Sequence, residues 1–459
     1  MVNERQLSTF VKESRGKFED ILGQMVEIPS ISMDSSRTGD MRRMAELAKE
    51  YLADMKAKVH VVETGGYPII SGGWIAGPTY PTVTIYNHLD VQPAQEPEWK
   101  QPPFAFQNER GIYRGRGTTD DKGPALTAMF AARYAIEQGW PINIQFLWEL
   151  EEEIGSPHFA EGLKKHLAIP RPDSVVVSDT IWIAKGRPAV PYGLRGLLCA
   201  RLILRTGEKD AHSGVTGGAA RNPLAELMEV ANTCLDARTG RIKIPGFYDD
   251  VIQPTANEIK NFLRSGFQVG RFRHAYGFRS LRVQDPAEVM RRIWASPTFE
   301  IHGLSGGYQG PGVKTVVPGH AELKVSMRLV PGQAPERVFA LLKKHVMKVN
   351  PDVKVKREGM LHPFRGHFVG PYVDCVKRAV MEGFGKAPAF VREGGSIGAV
   401  VTMQKAWKVP ILFIGLSLPE HGYHAPNEYY DWGQASGGMK TFVQYFSQLV
   451  KMGKQQGGL

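Results

Sequence analysis

Three short runs rich in apolar residues constrain most strongly how this chain can fold. They read TVTIYN (82–87), INIQFLWEL (142–150) and SVVVSD (174–179). Each has the length of a strand that is buried on both faces, and GPALTAMFAARYAIEQG (123–139) has the pattern of a helix that ends at Gly139. Strand, helix and strand in this order predict parallel strands joined by right-handed crossovers, which is an α/β fold.

The length of 459 residues and a change of pattern predict a second domain. From about residue 206 the chain becomes loop-rich, with Asn222 and Pro223 opening a helix. The alternating runs TFEIHGL (298–304) and AELKVSMRLV (321–330) then predict half-exposed antiparallel strands. We therefore expect a mostly parallel-sheet domain built from residues 1–205 and 328–459, with an α+β domain, 206–327, inserted into it.

Composition narrows the class of protein. The formal net charge is +11, but Lys and Arg are spread along helices rather than gathered in runs with aromatic residues, so we expect no nucleic-acid partner. The positive net charge is consistent with a role in keeping the protein soluble or in attracting anionic substrates. The sequence contains no stretch of about 18 uncharged apolar residues, so no membrane span is predicted. The N-terminal segment has no signal-peptide pattern. Cys199, Cys234 and Cys375 are widely spaced, which predicts buried free thiols and a cytoplasmic location.

Histidine and acidic residues follow the predicted strands. In open α/β sheets, ligands bind beyond the carboxyl ends of the strands, so these side chains are expected to meet at one edge. They are His88 and Asp90 after the first run, Glu151, Glu152 and Glu153 after the second, Asp179 at the end of the third, Asp120 before the helix, and His424 after VPILFIGL (409–416).

This set of residues suits a metal centre. Zn²⁺ takes imidazole nitrogen and carboxylate oxygen, and one such ion needs only three protein ligands. The surplus of ligands favours two metal ions bridged by a carboxylate. A bare cluster of carboxylates would also repel itself, so a bound cation is the simpler account. Each residue alone has a plainer explanation, such as a solvated helix start for the glutamate triplet or a turn cap for Asp179. Only their joint position at successive strand ends makes the metal centre the better interpretation.

Nine segments together carry a family resemblance. The segments HLDVQP, YRGRGTTDDKGPAL, ELEEEIGS, VVSD, DAHSG, KTVVP, MRLVP, REGGSIG and GYHAPNE occur in this order. As a set they resemble the di-zinc metallopeptidases that include carnosinase, cytosolic nonspecific dipeptidase, succinyl-diaminopimelate desuccinylase and glutamate carboxypeptidase. The resemblance runs from about residue 20 to 445. It implies a zinc-peptidase catalytic domain, an inserted lid or dimerisation domain, and a homodimer.

The resemblance also implies roles for residues at the metal centre. It implies that His88 and Asp179 bind one zinc ion, that His424 binds the other, that Asp120 bridges both, and that Glu153 is a further ligand. Mn²⁺ or Co²⁺ is an alternative to zinc. Glu152 is implied as the general base for a metal-activated water, with Glu151 the alternative, and Asp90 as the residue that orients His88. A cis peptide bond is implied after Asp120.

A second group of residues is implied to bind substrate. His212 matches a histidine that stabilises the oxyanion in the partner subunit's site, and its plainer alternative is the cap of a lid turn. Arg328 matches an arginine that binds the substrate carboxylate. Thr315, Gly395 and Ser396 match positions that touch the C-terminal end of the substrate. One departure is Gly398, where relatives often have proline, so a looser loop is expected.

Asp179 favours one branch of this family. Dipeptidase and aminopeptidase members resemble this chain in having Asp there, whereas carboxypeptidase, desuccinylase and deacylase members generally have Glu. Hydrolysis of small peptides with free termini is therefore expected. The alternatives are an N-acyl-amino-acid amidohydrolase or carboxypeptidase using the same metals, and, remotely, a non-catalytic binding protein on the same fold.

Overall fold

A computed structural model of the chain describes residues 2–165 and 170–457, with side chains as far as residue 453. Helices and β-strands alternate along most of it. The α-helices are Glu4–Glu13, Arg15–Val26, Thr38–Asp54, Gly123–Glu137, Phe159–Lys165, Ser213–Thr216, Pro223–Cys234, Ala256–Arg264, Val269–Ala275, Pro286–Ala295, Pro335–Val349, Pro371–Phe384, Gly398–Trp407 and Trp432–Gly457. None of these helices combines the length and apolarity needed to cross a membrane.

The central sheet contains the three predicted strands side by side and in parallel. Thr82–His88 pairs in parallel with Asn143–Glu149 on one side and with Ser174–Val177 on the other, and Ile411–Phe413 extends the parallel part. Two antiparallel strands complete the other edge. The order across this six-stranded sheet is Lys58–Val62, Ile69–Trp74, Asn143–Glu149, Thr82–His88, Ser174–Val177 and Ile411–Phe413. The predicted α/β fold with a mostly parallel sheet is confirmed.

Apolar layers cover both faces of this sheet, which is why its inner strands lack a polar face. Ile85, Phe146 and Val176 belong to one buried cluster, formed with the helices Gly123–Glu137 and Trp432–Gly457. Their neighbours Tyr86, Leu147, Val175 and Val177 point to the opposite face and join a second cluster. Successive side chains of a strand alternate between faces, so each run needs apolar residues on both faces to bury both.

A second sheet is wholly antiparallel and has its own apolar cluster. Its order is Glu300–Gly306, His320–Leu329, Gly196–Arg205 and Lys354–Leu361. The expected limit at 327/328 falls inside one of these strands, and Gly196–Arg205 and Lys354–Leu361 lie outside the expected insert. The division into domains remains a proposal, for which strand pairing favours wider limits near residues 195 and 362.

Three small sheets accompany these two. One consists of Phe364–Arg365, Ala189–Leu194 and Ala389–Glu393, the second of Tyr429–Asp431, Ile112–Arg114 and Gln107–Glu109, and the third of Ala211–His212 and Val316–Val317. The helices Ala256–Arg264 and Pro286–Ala295 pack on the first of them through Phe262 and Trp294. Ala189–Leu194 leads directly through Arg195 into the second large sheet, so residues near this junction lie close to both sheets.

Several local predictions are also confirmed. The side chain of Asn222 accepts hydrogen bonds from the backbone N–H groups of Leu224 and Ala225, and Pro223 is the first residue of that helix. Gly139 has a φ of +63°, a conformation that suits glycine and ends the preceding helix. Cys234 and Cys375 are buried, Cys199 is half-buried, and all three are free thiols.

Candidate metal and active site

The parallel strands of the central sheet bring the predicted residues to one edge. His88 is the last residue of Thr82–His88, Glu152 and Glu153 follow Asn143–Glu149 in a 3₁₀ turn (Glu152–Ile154), and Asp179 lies two residues after Ser174–Val177. Because neighbouring parallel strands end at the same edge, residues far apart in sequence meet there. Asp120 joins them from the turn Thr118–Lys122, directly before the helix Gly123–Glu137.

Two ligand groups share the carboxylate of Asp120. His88, Asp120 and Asp179 form one group and Asp120, Glu153 and His424 the other, and within each group the ligand atoms lie within 4.8 Å of one another. Oδ1 of Asp120 is 3.0 Å from Nε2 of His88, and Oδ2 is 3.1 Å from Nε2 of His424. The structure therefore gathers all five predicted metal ligands, with Asp120 in the bridging position.

The outer atoms of each group complete this geometry. Nε2 of His88 lies 3.9 Å from Oδ2 of Asp179, and Nε2 of His424 lies 3.2 Å from Oε2 of Glu153. Imidazole nitrogens and carboxylate oxygens that converge in this way fit divalent metal ions such as Zn²⁺. The donor set therefore passes the chemical test for two cations.

Electrostatics point to the same need for positive charge. Burial would raise the pKa of Asp120, but hydrogen bonds from the two histidines lower it below its ordinary range. Burial would lower the pKa of His424, but the contacts with Asp120 and Glu153 raise it to about 11. Burial raises the pKa of Asp179 to about 6. Without metal ions, the carboxylates keep protons bound to the histidines. Bound cations would take the place of these protons, and the imidazole ligands would then be neutral.

Asp90 connects His88 to the glutamate turn. One carboxylate oxygen accepts a hydrogen bond from the backbone N–H of Glu152 at 3.1 Å, and the other accepts one from the N–H of Glu153 at 3.0 Å. Oδ1 of Asp90 also lies 3.4 Å from Nδ1 of His88, whose nearer neighbour is the backbone oxygen of Asp90 at 3.0 Å. Asp90 can therefore fix the turn as well as the imidazole.

The structure separates the three consecutive glutamates. Glu151 points away from the metal ligands, and its carboxylate receives the backbone N–H of Tyr67 at 3.1 Å and lies 3.0 Å from Nδ1 of His158. Glu153 joins the second ligand group, and Glu152 lines the adjoining cavity. This arrangement favours Glu152 over Glu151 as the base.

The turn that carries Asp120 is held by a buried carboxylate that sequence reasoning missed. The peptide bond Asp120–Asp121 is cis, as the resemblance implied. Glu428 accepts hydrogen bonds from the backbone N–H groups of Gly117, Thr119 and Asp120 at 3.0, 2.9 and 3.2 Å, and pairs with Arg116 at 2.8 Å. Glu428 ends the GYHAPNE segment, so its closeness to His424 in sequence was the available signal.

Two further residues missed from sequence contact the metal ligands. Gln92 donates from Nε2 to Glu153 at 2.6 Å. Tyr423 donates its hydroxyl hydrogen to Asp179 and stacks on His424 with ring centroids 5.8 Å apart. Both hold ligand side chains in place. Gln92 lies four residues after His88, and Tyr423 directly precedes His424.

A cavity of about 1260 Å³ opens beside the ligand groups and contains part of the predicted substrate site. Glu152, Arg328, Gly395 and Ser396 all line it. Nη1 of Arg328 donates to the hydroxyl of Ser396 at 2.9 Å. The volume exceeds the usual range of about 300–1,000 Å³ for small-molecule pockets, so a small peptide has ample room.

His212 and Thr315 lie elsewhere in the described chain. Both are exposed, and neither is among the residues that line the cavity. They sit together at the two-stranded sheet, where Ser213 donates its backbone N–H to the oxygen of Thr315. Nδ1 of His212 accepts the backbone N–H of Gly214 at 2.9 Å, which is the capping role named as its plainer alternative.

Gly398 packs more tightly than its expected loosening effect suggests. It is the first residue of the helix Gly398–Trp407, and a Cβ there would lie 2.9 Å from the backbone oxygen of Gly155. The glycine thus lets the loop that carries Ser396 approach the turn after Glu153.

Comparisons with known proteins agree with this geometry. The sequence profile of Peptidase family M20/M25/M40 matches residues 84–448. The Cys-Gly metallodipeptidase dug1 of Schizosaccharomyces pombe is 31% identical over 471 residues, covering 97% of this chain and 98% of the relative. The structure of human carnosine dipeptidase 1 is similar with a TM-score of 0.87 and 28% identity, covering 97% and 99% of the two chains.

A third similar protein has a different activity in its name. The metallo-carboxypeptidase Sso-CP2 from Sulfolobus solfataricus has a TM-score of 0.87 and 29% identity, covering 94% of this chain and 98% of the other. The similarity to all three proteins extends over nearly the full length of each, and the family profile spans most of this chain. This chain is a member of Peptidase family M20/M25/M40 and a metallopeptidase.

Proposed function

We propose that this protein is a metal-dependent dipeptidase that hydrolyses the peptide bond of dipeptides and other small peptides. The observation that carries the proposal is the carboxylate of Asp120 shared between two histidine-containing ligand groups, at the wall of a cavity that also holds Glu152 and Arg328. The names of the dug1 relative and of human carnosine dipeptidase 1 support the same reaction.

The proposed cofactors are two zinc ions per chain, with Mn²⁺ or Co²⁺ as alternatives. His88, Asp120 and Asp179 would hold one ion, and Asp120, Glu153 and His424 the other. When bound, such ions acidify a water molecule and polarise the carbonyl of the scissile bond.

Glu152 is the residue proposed to move the protons of the reaction. No described residue forms a hydrogen bond with its carboxylate, and the side chain lines the cavity, so water and substrate can reach it. Burial raises its pKa well above the ordinary value, whereas bound cations would favour its ionised form. A carboxyl group under these opposed influences can take a proton from the attacking water and return it to the leaving amine.

The cavity also offers partners for both termini of a small peptide. Arg328 would bind the substrate's C-terminal carboxylate, with Ser396 fixing the guanidinium at 2.9 Å. Glu393 lines the same cavity, and no described Lys or Arg forms a salt bridge with it. Burial, and secondarily the charge of Asp179, raise the pKa of Glu393 to about 8. A substrate ammonium group would satisfy this carboxylate, which supports a free amino terminus over an N-acyl group.

We propose that the protein forms a homodimer through its antiparallel sheet. Glu300–Gly306 is one edge strand of that sheet. Ile301 and Leu304 on this strand are 45% and 42% exposed, and Met228, which lines the same shallow pocket, is 54% exposed. A second copy covering this apolar edge would remove it from water. The same dimer could bring His212 and Thr315 to the partner's cavity, and light scattering of the purified protein tests the dimer directly.

A cytoplasmic location and the absence of a nucleic-acid partner complete the proposal. Three free cysteines fit a reducing compartment. The spread of Lys and Arg along the sequence, without runs interleaved with aromatic residues, supports the absence of a nucleic-acid partner.

A substrate panel tests the proposed function. The protein is loaded with Zn²⁺, Mn²⁺ or Co²⁺ and assayed with dipeptides, N-acyl amino acids and longer peptides. Turnover of dipeptides alone is the expected result. Cleavage of N-acyl amino acids would favour the amidohydrolase, and release of single C-terminal residues from longer peptides would favour the carboxypeptidase activity that Sso-CP2 carries in its name. Metal binding without any turnover would favour a binding protein.

A further inference from the structure

Positive side chains dominate the cavity wall away from the metal ligands. The acids beyond the metal site and its base are Glu358, Glu393 and Glu420. The cations that line the cavity are Lys185, Arg187, Arg195, Arg271, Arg328 and Arg392, of which Arg392 is paired with Glu258. Glu358 is already paired with Arg201 at 2.6 Å. Two divalent cations would balance the metal-site carboxylates, so the remainder of the cavity favours an anionic substrate.

Arg195 and Arg328 lie together at one part of this wall. Arg195 donates from Nε to the backbone oxygen of Gly394 at 3.2 Å, and its own backbone oxygen accepts the hydroxyl of Ser396 at 2.5 Å. The same hydroxyl receives Nη1 of Arg328. One short loop therefore holds two guanidinium groups beside each other.

The packing around Arg195 is close on the loop side. A Cβ at Gly394 would lie 2.8 Å from Nη2 of Arg195, so this glycine admits the guanidinium. The strands on either side of Arg195 belong to two different sheets, which fixes its backbone from both directions. The guanidinium of Arg195 is therefore held in a fixed position in the cavity wall.

Neither guanidinium is neutralised by the protein. Neither forms a salt bridge with a carboxylate anywhere in residues 2–165 and 170–453. Glu300 is near enough to favour the charge of Arg195 but does not pair with it. Burial and the charge of Arg328 lower the pKa of Arg195 to about 9, as expected for half-buried like charges without an anion between them.

We infer that Arg195 binds a second carboxylate of the substrate, the side-chain carboxylate of a C-terminal Asp or Glu residue. The inference rests on the proposed function, in which Arg328 takes the α-carboxylate of that residue. The two carboxylates of one acidic residue are only a few bonds apart, which matches two guanidinium groups on one loop. Lys185, Arg187 and Arg271 add to the attraction of a dianionic substrate from solution.

The test compares two dipeptides of equal shape and different charge, Ala-Glu and Ala-Gln, with the metal-loaded full-length enzyme. We expect kcat/KM for Ala-Glu to exceed that for Ala-Gln by about tenfold or more, mainly through KM, because a charged hydrogen bond is at stake. In Arg195→Gln the ratio should fall towards one, and Arg195→Lys should retain part of it.

A matched control separates the local contact from net charge. Arg205 is exposed at the end of the strand Gly196–Arg205, which follows Arg195, and it lies outside the cavity wall. Arg205→Gln therefore removes an equal charge and should keep the wild-type ratio. Thermal melting checks that each variant is folded. Equal kcat/KM for the two dipeptides in the wild type would overturn the inference. So would an unchanged ratio in Arg195→Gln, or an equal loss for both substrates, which would mean that both arginines share the α-carboxylate.

A binding measurement keeps the inference independent of turnover. Calorimetry with the metal-loaded Glu152→Gln variant compares the affinities of Ala-Glu and Ala-Gln, and the same measurement is repeated with Glu152→Gln/Arg195→Gln. Tighter binding of Ala-Glu that disappears in the double variant supports the inference even if no dipeptide is cleaved, a result that would sink only the proposed function. Dipeptide turnover with equal affinities for the two ligands would overturn the inference and leave the proposed function standing.

Discussion

The carboxylate of Glu428 accepts a hydrogen bond from the backbone N–H of Asp120 at 3.2 Å, although 308 residues separate the two. The same carboxylate is fully buried and binds three further groups at or just before that turn, on Arg116, Gly117 and Thr119. The position of the bridging ligand is therefore fixed from the other end of the chain.

Replacing Glu428 should weaken metal binding without removing a ligand. In Glu428→Gln the amide nitrogen would face N–H donors, so we expect metal affinity to fall by about tenfold to a hundredfold. The free energy of unfolding should fall by roughly 3 kcal/mol because Arg116 loses its buried partner. Titration with metal and thermal melting measure both effects. Glu382→Gln, at an exposed position, is the control, and unchanged metal affinity in Glu428→Gln would contradict the account.

Glu152 and Glu151 should respond differently to the same substitution. Glu152→Gln should lower kcat by roughly a hundredfold to ten-thousandfold while keeping the metal content, because the proton acceptor is lost. Glu151→Gln should keep kcat but lower the free energy of unfolding by about 1–3 kcal/mol, because Glu151 serves His158 and Tyr67. Steady-state kinetics and metal analysis of the two variants measure these differences. A larger kcat loss in Glu151→Gln would reverse the two assignments.

His212 should act across the proposed dimer. His212→Ala alone is expected to lower kcat by about a hundredfold to a thousandfold, as the loss of an oxyanion donor does. Mixed dimers of one His212→Ala chain and one Glu152→Gln chain, purified with two tags, contain one complete site. They should recover about half of the wild-type activity, since each site needs His212 from one chain and Glu152 from the other. Mixed dimers as inactive as either parent would exclude this exchange.

Glu258 should make the free energy of unfolding depend on pH in the acid range. It is buried and contacts Arg392, Arg365, Tyr192 and the backbone of Thr255. Burial alone would raise its pKa, but the hydrogen bonds from Thr255 and Arg392 lower it to about 2. The stabilisation is thus present above about pH 4.5, the unfolded value, and is lost as pH falls towards 2.

The variant Glu258→Gln isolates this effect. Its free energy of unfolding should be lower than that of the wild type by on the order of 3 kcal/mol at neutral pH. The difference should shrink as the pH falls below about 4.5, which denaturant melts at several pH values measure. A difference that stays constant from pH 6 to pH 3 would show that the charge of Glu258 does not stabilise the fold.

The central sheet and the metal ligands could be predicted from sequence for one physical reason. Parallel strands end at a common edge, so residues at or just after the end of each run, such as His88 or Asp179, had to lie near the others. Glu428 and Arg195 could not be found in this way. Their partners are backbone groups brought near by the fold, and a carboxylate bound by amide hydrogens has no sequence pattern. The limits of the second sheet were also missed, because 196–205 is a strand that continues directly from the neighbouring sheet.

Metal content tests the central claim most directly. The claim is that Asp120 is shared by two cations, each held by one histidine. Elemental analysis of the metal-loaded protein should give two ions per chain for the wild type. Anomalous scattering from crystals should place them on either side of Asp120. His88→Ala should retain mainly the ion beside His424, and Asp120→Asn should lose affinity for both. A single ion per chain, or two ions bound at full affinity without the Asp120 carboxylate, would contradict the account.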